Sequence, residues 1–205
     1  ILPQNGSISM TCDGLQTVTT IEFSGTHAKD TVLINDEELQ KDERDILGHI
    51  ERIRKLAGIN EKAKMVSQSN FPIAAGLASS ASGFAALTLA ATAAAGMHLS
   101  EQELTILSRQ GSGSSCRSIP EGFVEWHRGS TEDGADSYAE TIATKSHWKD
   151  FRMIATIVSE AKKKVSSRAG MKQTVETCPY YKDWLATVNT DLEIIRNGIK
   201  KQEVI

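Results

Sequence analysis

Residues 72–81 read Pro-Ile-Ala-Ala-Gly-Leu-Ala-Ser-Ser-Ala and lead directly into an alanine-rich segment that ends near Gly96. Small residues let the backbone approach a ligand closely, and the helix that we predict from Ser79 or Ser80 presents unpaired N–H donors in its first turn. Together with the helix dipole, these donors favour a phosphate group. The stretch lacks the Gly-Lys-Ser/Thr of a Walker A loop, so a lysine that neutralises phosphate must come from elsewhere. The alternative interpretation is a core helix with a small-residue packing face.

The uncharged stretch extends from Phe71 to Met97, which is long enough to cross a bilayer. Its residues are mostly Ala, Ser, Thr and Gly, which gain little from transfer into hydrocarbon. We therefore predict a helix that packs inside a soluble protein, and no contact with a membrane.

A second cluster, residues 111–118, reads Gly-Ser-Gly-Ser-Ser-Cys-Arg-Ser. A guanidinium such as that of Arg117 binds a carboxylate or phosphate through two parallel hydrogen bonds, and flanking hydroxyls can bind the remaining oxygens. The alternative is a flexible linker, which the strand-like sequence Gly-Phe-Val-Glu-Trp at residues 122–126 makes less favourable. Because no histidine partner is evident for Cys116, we interpret it as a small buried residue and not as a nucleophile.

A third cluster, residues 162–171, reads Lys-Lys-Lys-Val-Ser-Ser-Arg-Ala-Gly-Met. It supplies the positive charge that the small-residue loop lacks, and an exposed basic turn is the alternative. With two other anion-binding patterns in the chain, we favour a functional role for it.

Composition excludes several classes of protein. The chain has 205 residues, 23 Lys and Arg against 26 Asp and Glu, a net charge of −3, 40% hydrophobic residues and three cysteines. These values argue against disorder, a disulfide scaffold and a dominant nucleic-acid surface. The five histidines have no metal-ligand spacing, so no metal site is predicted from protein ligands alone. The first residues show no signal peptide and no initiator Met, so we expect the sequence to begin inside a longer protein.

Hydrophobic spacing and turn residues predict an α+β fold. Residues 7–11 and 17–23 are expected to form a hairpin around Asp13-Gly14. Other strands are predicted at residues 31–34, 63–68, 122–127 and 153–158, the last as a buried run. Helices are predicted at 42–57 with an end at Gly58, from Ser79 or Ser80 to near Gly96, at 101–109 after Ser100 as N-cap, at 170–177 and at 180–197. The composition changes near residues 145–150, where we place a domain boundary.

Residues 72–81 resemble the phosphate-binding motif of the GHMP kinase superfamily. Within that superfamily, the chain resembles the diphosphomevalonate decarboxylases. The matching segments cover essentially the whole chain and are residues 1–3, 7–9, 70–80, 111–118, 122–126, 136–139 and 165–171. The small departures are Ile73, where the family usually has Thr, and Pro120-Glu121, where it has Gly or an aromatic residue.

This resemblance implies a GHMP kinase fold. A ribosomal protein S5 domain 2-like N-terminal part would span residues 1–148, with the phosphate loop at 72–81. Residues 149–205 would begin an α/β C-terminal part. The family's substrate-contacting lysine and tyrosine would precede Ile1, and its catalytic aspartate would follow Ile205, so the chain is expected to be incomplete at both ends.

The resemblance also implies an enzyme of the mevalonate pathway of isoprenoid biosynthesis. With ATP and Mg²⁺, it would convert (R)-5-diphosphomevalonate to isopentenyl diphosphate, ADP, phosphate and CO₂, as a cytoplasmic homodimer. A phosphomevalonate decarboxylase or a mevalonate 3-kinase would share the fold and remains an alternative. An alternative from another class is a non-catalytic protein that binds a nucleotide or metabolite.

Matching the family's motifs residue by residue assigns three sets of site residues. The catalytic pair would be Ser80, nearest the transferred phosphate, and Arg117, on the carboxylate that becomes CO₂. The substrate would contact Ser112, Gly113, Ser114, Ser115, Cys116, Arg117, Arg168 and Met171. The nucleotide would contact Ser69, Ala75, Gly76, Leu77, Ala78, Ser79, Ser80, Lys162 and Ser167.

Overall fold

The computed structural model describes residues 2–40, 45–72, 77, 79–156 and 165–203. It contains two sheets and five α-helices within these ranges. The strands are β1 (Ser7–Met10), β2 (Thr17–Ser24), β3 (Thr31–Ile34), β4 (Glu37–Glu38), β5 (Lys62–Ser69), β6 (Phe123–Trp126) and β7 (Ala139–Ala143). The helices are α1 (Ile46–Ala57), α2 (Ser79–Ala94), α3 (Glu101–Gly111), α4 (Ser167–Thr177) and α5 (Tyr181–Lys201), with a 3₁₀ helix at Gly113–Ser118.

The larger sheet has the strand order β2-β5-β3-β4, in which only β3 and β5 are parallel. Its apolar side chains alternate along β5, as expected for a sheet with one buried face. Helices α1, α2 and α3 cover that face. The core between them consists of Val32, Ile46, Ile50, Ile53, Ala63, Met65, Phe84, Leu87, Ala91 and Leu107.

The smaller sheet is antiparallel, with the order β1-β6-β7. The 3₁₀ helix packs on one of its faces, and Cys116, Val124, Trp126 and Ala139 form a second buried cluster there. Helix α5 contacts β1 and β7 of the same sheet. The smaller sheet therefore lies between the 3₁₀ helix and the C-terminal part of the chain.

Helix α3 approaches α2 very closely at Gly111. A Cβ at this position would lie 2.3 Å from Cδ1 of Phe84 and 3.0 Å from Nδ1 of His49, which no side chain could tolerate without movement of both rings. Gly111 thus sets where the chain leaves α3 and enters the 3₁₀ helix.

Most predicted elements are confirmed. Helix α2 begins at Ser79, Ser100 caps α3, and Gly58 ends α1 with a φ of 68°. The strands predicted at 31–34, 63–68 and 122–127 are present, and their ends differ from the prediction by at most one residue. Residues 42–44 of the predicted first helix lie outside the described residues, and the helix begins at Ile46. Both C-terminal helices are longer than predicted.

The predicted hairpin is wrong, because β1 and β2 belong to different sheets. Six residues separate them, too many for the tight turn that Asp13-Gly14 suggests. Each end of this connection makes a hydrogen bond to a residue next to a strand of its own sheet. Thr11 N donates to Gly122 O at 2.9 Å, and Gln16 N donates to Asn70 Oδ1 at 2.8 Å.

The predicted buried strand at 153–158 is also wrong for residues 153–156, which are irregular and exposed. Ile154 is 88% exposed. A continuous apolar run becomes a buried strand only where layers cover both of its faces, and no such layers cover it in the part of the chain that the structure describes. Residues 157 and 158 lie outside the described residues. Within the described ranges, no helix has the length and apolar character that crossing a membrane would require.

Candidate functional site

The first turn of α2 lies beside a small cavity whose wall combines hydroxyl groups with apolar side chains, among them Met65, Phe84 and Leu87. Ser79 and Ser80 reach it from α2, Ser69 from the end of β5 and Thr17 from the start of β2. Its volume of about 30 Å³ admits a water molecule, so this cavity is not a nucleotide pocket in itself. Three predicted nucleotide-binding residues (Ser69, Ser79 and Ser80) thus lie together.

The rest of the predicted phosphate loop is not described. Ala75, Gly76 and Ala78 lie outside the described residues, and of the loop between Pro72 and Ser79 only Leu77 is described. The predicted contacts of these residues with a nucleotide stay predictions.

The second cluster forms the 3₁₀ helix, which packs directly against α2 and α3. Ser115 is fully buried. Its Oγ accepts from Ser108 Oγ at 2.7 Å and lies 2.6 Å from the carbonyl oxygen of Ser112. The Cys116 thiol is also fully buried and donates to Gly113 O at 3.2 Å. These two side chains therefore hold the shape of the segment, and only their backbone can face a ligand.

Burial raises the pKa of the Cys116 thiol to about 12, against a smaller opposing effect of Arg117. A thiol with such a pKa is protonated at neutral pH, which agrees with the interpretation of Cys116 as a small buried residue and not a nucleophile. Ser112 and Ser114 differ from Ser115. Both are only partly buried, and within the described residues neither hydroxyl makes a hydrogen bond. Their hydroxyls are therefore open to a ligand.

The Arg117 side chain contacts two residues of the smaller sheet, Ser7 on β1 and Trp126 on β6. Its Nη1 donates to Ser7 Oγ, and its guanidinium lies 5.7 Å from the centre of the Trp126 ring. Ser7 and Trp126 are directly paired in the strand register. The indole is itself fixed, because Trp126 Nε1 donates to Ser137 Oγ at 3.2 Å.

The charge of Arg117 is not neutralised. Partial burial lowers the pKa of its guanidinium, and no carboxylate in the described ranges forms an ion pair with it. An arginine remains charged despite such a shift. A half-buried guanidinium with donors to spare is the feature expected of a site that binds an anion.

Sequence reasoning missed a second arginine that supports this site. Arg109, in the last turn of α3, is 2% exposed. Its Nε donates to Ser137 O and its Nη2 to Gly134 O, both at 2.9 Å. In the same loop, Asp136 accepts from the N–H and hydroxyl groups of Ser130 and Thr131, which keep the pKa of its carboxyl far below the usual range. Arg109 thus fixes the loop that carries Ser137, the partner of Trp126.

The third cluster is not brought to the other two in the described structure. Ser167, Arg168 and Met171 lie on α4, which has no buried residue. Lys162 lies outside the described residues. A place for these residues beside the other two clusters stays a prediction.

A larger cavity of about 460 Å³ lies at the other end of α2. No predicted site residue contributes to it. Its lining residues are Leu89, Thr92, Ala93, Met97, His98, Leu99, Ser100 and Leu104.

The fold is that of a GHMP kinase-type protein. The family model described as "Diphosphomevalonate decarboxylase-like N-terminal domain" matches residues 1–139, and "Mevalonate 5-diphosphate decarboxylase C-terminal domain" matches residues 153–204. The chain therefore belongs to the diphosphomevalonate decarboxylase-like family, as its motifs predicted.

Individual relatives agree with this assignment. The chain is 38% identical to a diphosphomevalonate decarboxylase of Gibberella zeae over 98% of this chain and 57% of that protein. It is 37% identical to the Homo sapiens enzyme over 87% of this chain and 48% of that protein. The chain thus spans about half the length of these relatives.

Solved structures show the same likeness. Mevalonate diphosphate decarboxylase from Staphylococcus aureus has a TM-score of 0.90 and 36% identity, over 99% of this chain and 61% of that one. A structure described as "MDDEF in complex with MVAPP, AMPPCP and Magnesium" has a TM-score of 0.85 and 37% identity, over 98% and 62%.

Proposed function

We propose that the protein to which this chain belongs uses ATP to decarboxylate (R)-5-diphosphomevalonate. The products would be isopentenyl diphosphate, ADP, phosphate and CO₂. The observation that carries this proposal is Arg117, a half-buried guanidinium without a carboxylate partner in the described ranges, fixed beside the open hydroxyls of Ser112 and Ser114. Family membership and a solved relative described with MVAPP, AMPPCP and magnesium support it.

The substrate carries two anionic groups, and the 3₁₀ segment offers a partner for each. We assign the carboxylate to Arg117, because a planar guanidinium orients a carboxylate through paired hydrogen bonds. We assign the diphosphate to Ser112 and Ser114, with Arg168 approaching from the third cluster. The stack on Trp126 and the bond to Ser7 limit the freedom of the guanidinium, so little of its motion is left to lose when substrate binds.

The nucleotide would lie at the first turn of α2. Ser79 and Ser80 belong to this turn, where backbone N–H groups and the helix dipole favour phosphate. The Ser80 hydroxyl makes no hydrogen bond within the described residues, so it can contact the γ-phosphate or a Mg²⁺ ion held by the phosphates. Such an ion would neutralise charge on the transferred phosphoryl group.

The proposed reaction has two steps. The C3 hydroxyl oxygen attacks the γ-phosphorus of ATP, the bond to ADP breaks, and the hydroxyl proton passes to a base. The bond from C2 to the carboxylate carbon then breaks, its electrons form the C2–C3 double bond, and phosphate leaves C3 as CO₂ departs. Near the site, Glu125 is bonded to Arg196 and Asp136 to Ser130 and Thr131. The family resemblance implies an aspartate as this base.

Paired assays of the full-length protein with ATP and either mono- or diphosphorylated mevalonate test this function. We expect isopentenyl diphosphate and one CO₂ per ADP from the diphosphate. A strong preference for the monophosphate would indicate the sibling decarboxylase. Phosphorylation without CO₂ release would indicate a 3-kinase, and nucleotide binding without turnover of either substrate would indicate the non-catalytic protein.

We also propose that the protein is a cytoplasmic homodimer. The family resemblance supports both statements, and three free cysteines are consistent with a reducing compartment. Light scattering coupled to size-exclusion chromatography should give twice the mass of the full chain. A monomer mass, or recovery of the protein outside the soluble fraction of fractionated cells, would contradict the corresponding statement.

A further inference from the structure

Thr17 connects the start of β2 to the first turn of α2 through its hydroxyl group. Its Oγ1 lies 2.8 Å from Ser69 Oγ and 2.8 Å from Ser82 Oγ. Ser82 Oγ in turn donates to the carbonyl oxygen of Ser79 at 3.3 Å. The chain of hydroxyls therefore starts at the end of β5 and finishes on the first residue of α2.

Both contacts of Thr17 Oγ1 pair two hydroxyl groups, either of which can donate. A threonine hydroxyl has one proton and two acceptor sites, which suffice for both partners. Each of the two contacts has the length that is usual between hydroxyl groups.

We propose that Thr17 is a positioning residue that holds the first turn of α2, and hence Ser79 and Ser80, in the geometry that binds ATP phosphate. The inference rests on the proposed function and adds a residue to its nucleotide site. Two further observations support it: Thr17 lines the same cavity as Ser69, Ser79 and Ser80, and β2 packs closely along α2.

The chain supplies a matched control in Thr19. Thr19 lies two residues further along β2, on the same face, opposite Ser67 in the register as Thr17 is opposite Ser69. Its Oγ1 lies 2.8 Å from Ser67 Oγ, and in the described residues it makes no side-chain bond to α2. Replacing either threonine by valine removes one cross-strand hydroxyl pair and keeps the side-chain shape, but only Thr17→Val also breaks a bond to the helix.

The test compares full-length wild type, Thr17→Val and Thr19→Val by ATP titration, steady-state kinetics and amide hydrogen exchange without ligand. We expect Thr17→Val to raise the Kd and KM for ATP about threefold to tenfold, the effect of one lost hydrogen bond. Its KM for diphosphomevalonate should change less than about twofold. Amides in the first turn of α2 should exchange faster in Thr17→Val than in Thr19→Val.

Equal ATP affinity and equal exchange in the two variants would overturn the positioning role. If exchange at the first turn of α2 increases only in Thr17→Val but wild type binds no ATP, the positioning of this turn is supported and the proposed function fails. A thermal midpoint lowered equally in both variants, with the difference in ATP affinity still present, supports the proposal because it separates positioning from strand stability.

Discussion

His49 is an uncharged histidine at the point where α1, α2 and α3 meet. Its ring is fully buried and stands edge-on to Phe84, with 5.4 Å between the ring centres. Nε2 lies 2.9 Å from Thr88 Oγ1, and Thr88 Oγ1 donates to Phe84 O at 2.7 Å. Because the threonine proton is used there, Nε2 must carry the proton that binds Thr88. Nδ1 is then free to accept from Arg52 Nη1 at 3.0 Å. Every polar atom of the neutral ring is satisfied.

This environment predicts a loss of stability in acid. Burial, and to a smaller extent Arg52, lowers the pKa of His49 from 6.5 to about 4. Between pH 6.5 and about pH 4, the imidazole binds a proton in the unfolded chain but not in the folded protein. The free energy of unfolding therefore falls as the pH drops from 6.5 towards 4. The expected slope from this group is about 1.4 kcal/mol per pH unit.

Urea unfolding at several pH values measures this slope. His49→Gln should have a smaller pH dependence than wild type, although it is less stable at neutral pH. His98→Gln, at an exposed position, should match wild type. The same slope in wild type and His49→Gln would show that His49 does not contribute.

The sequence indicates candidate site residues where chemistry and local pattern coincide. Arg117 follows a run of glycine and serine, and that pattern alone indicated an anion partner. Arg109 has no such pattern, because the carbonyl groups that it binds come from Gly134 and Ser137, more than twenty residues later in the chain. The sequence also gave no sign that Ser115 turns inward while Ser114 does not, since that difference depends on how the 3₁₀ helix packs.

At the scale of elements, α3 has a complete N-terminal capping box. Ser100 Oγ accepts from Glu103 N at 3.3 Å, and the Glu103 carboxylate accepts from Ser100 N at 2.8 Å. The bonds from Ser100 lower the pKa of Glu103. Two backbone donors that the helix leaves unpaired are satisfied in this way.

Removing this cap should weaken the protein without changing its site. We expect Ser100→Ala to lower the free energy of unfolding by about 1 kcal/mol, measured by urea titration. Ser118→Ala, at an exposed position outside any cap, serves as the control and should change it by less than about 0.5 kcal/mol. Equal losses in the two variants would argue against a role for the cap.

Helices were easier to predict than strand partners. Helix α1 is marked by apolar residues three or four apart and by Gly58, both of which are local signals. The partner of β1 is β6, more than one hundred residues away, and nothing in either short strand specifies that pairing. The failed hairpin shows this limit, because proximity in sequence suggested the wrong neighbour for β1.

At the scale of the molecule, α5 is attached to the smaller sheet by an ion pair whose carboxylate is buried. Glu125 is 4% exposed, and its carboxylate accepts from Nε and Nη2 of Arg196 at 2.9 and 2.6 Å. The neighbouring residue Trp126 faces Arg117 on the other side of the sheet. One strand therefore contacts the candidate substrate site on one face and the C-terminal helix on the other.

Breaking this ion pair should lower the free energy of unfolding. Arg196→Met leaves the Glu125 carboxylate buried without its partner, and we expect unfolding to require about 2 kcal/mol less. Adding Glu125→Gln to that variant should recover part of the loss, because the uncompensated charge is gone. Strictly additive losses in the double variant would contradict a direct interaction.

The central claim is that Arg117 holds the substrate carboxylate while α2 holds the nucleotide, and calorimetric titration of full-length Arg117→Ala tests it most directly. We expect the affinity for (R)-5-diphosphomevalonate to fall about thirtyfold or more, which corresponds to about 2 kcal/mol. Affinity for ADP should stay within about twofold of wild type, and Arg128→Ala, at an exposed position nearby, should bind both ligands normally. Unchanged affinity of Arg117→Ala for diphosphomevalonate would contradict the account.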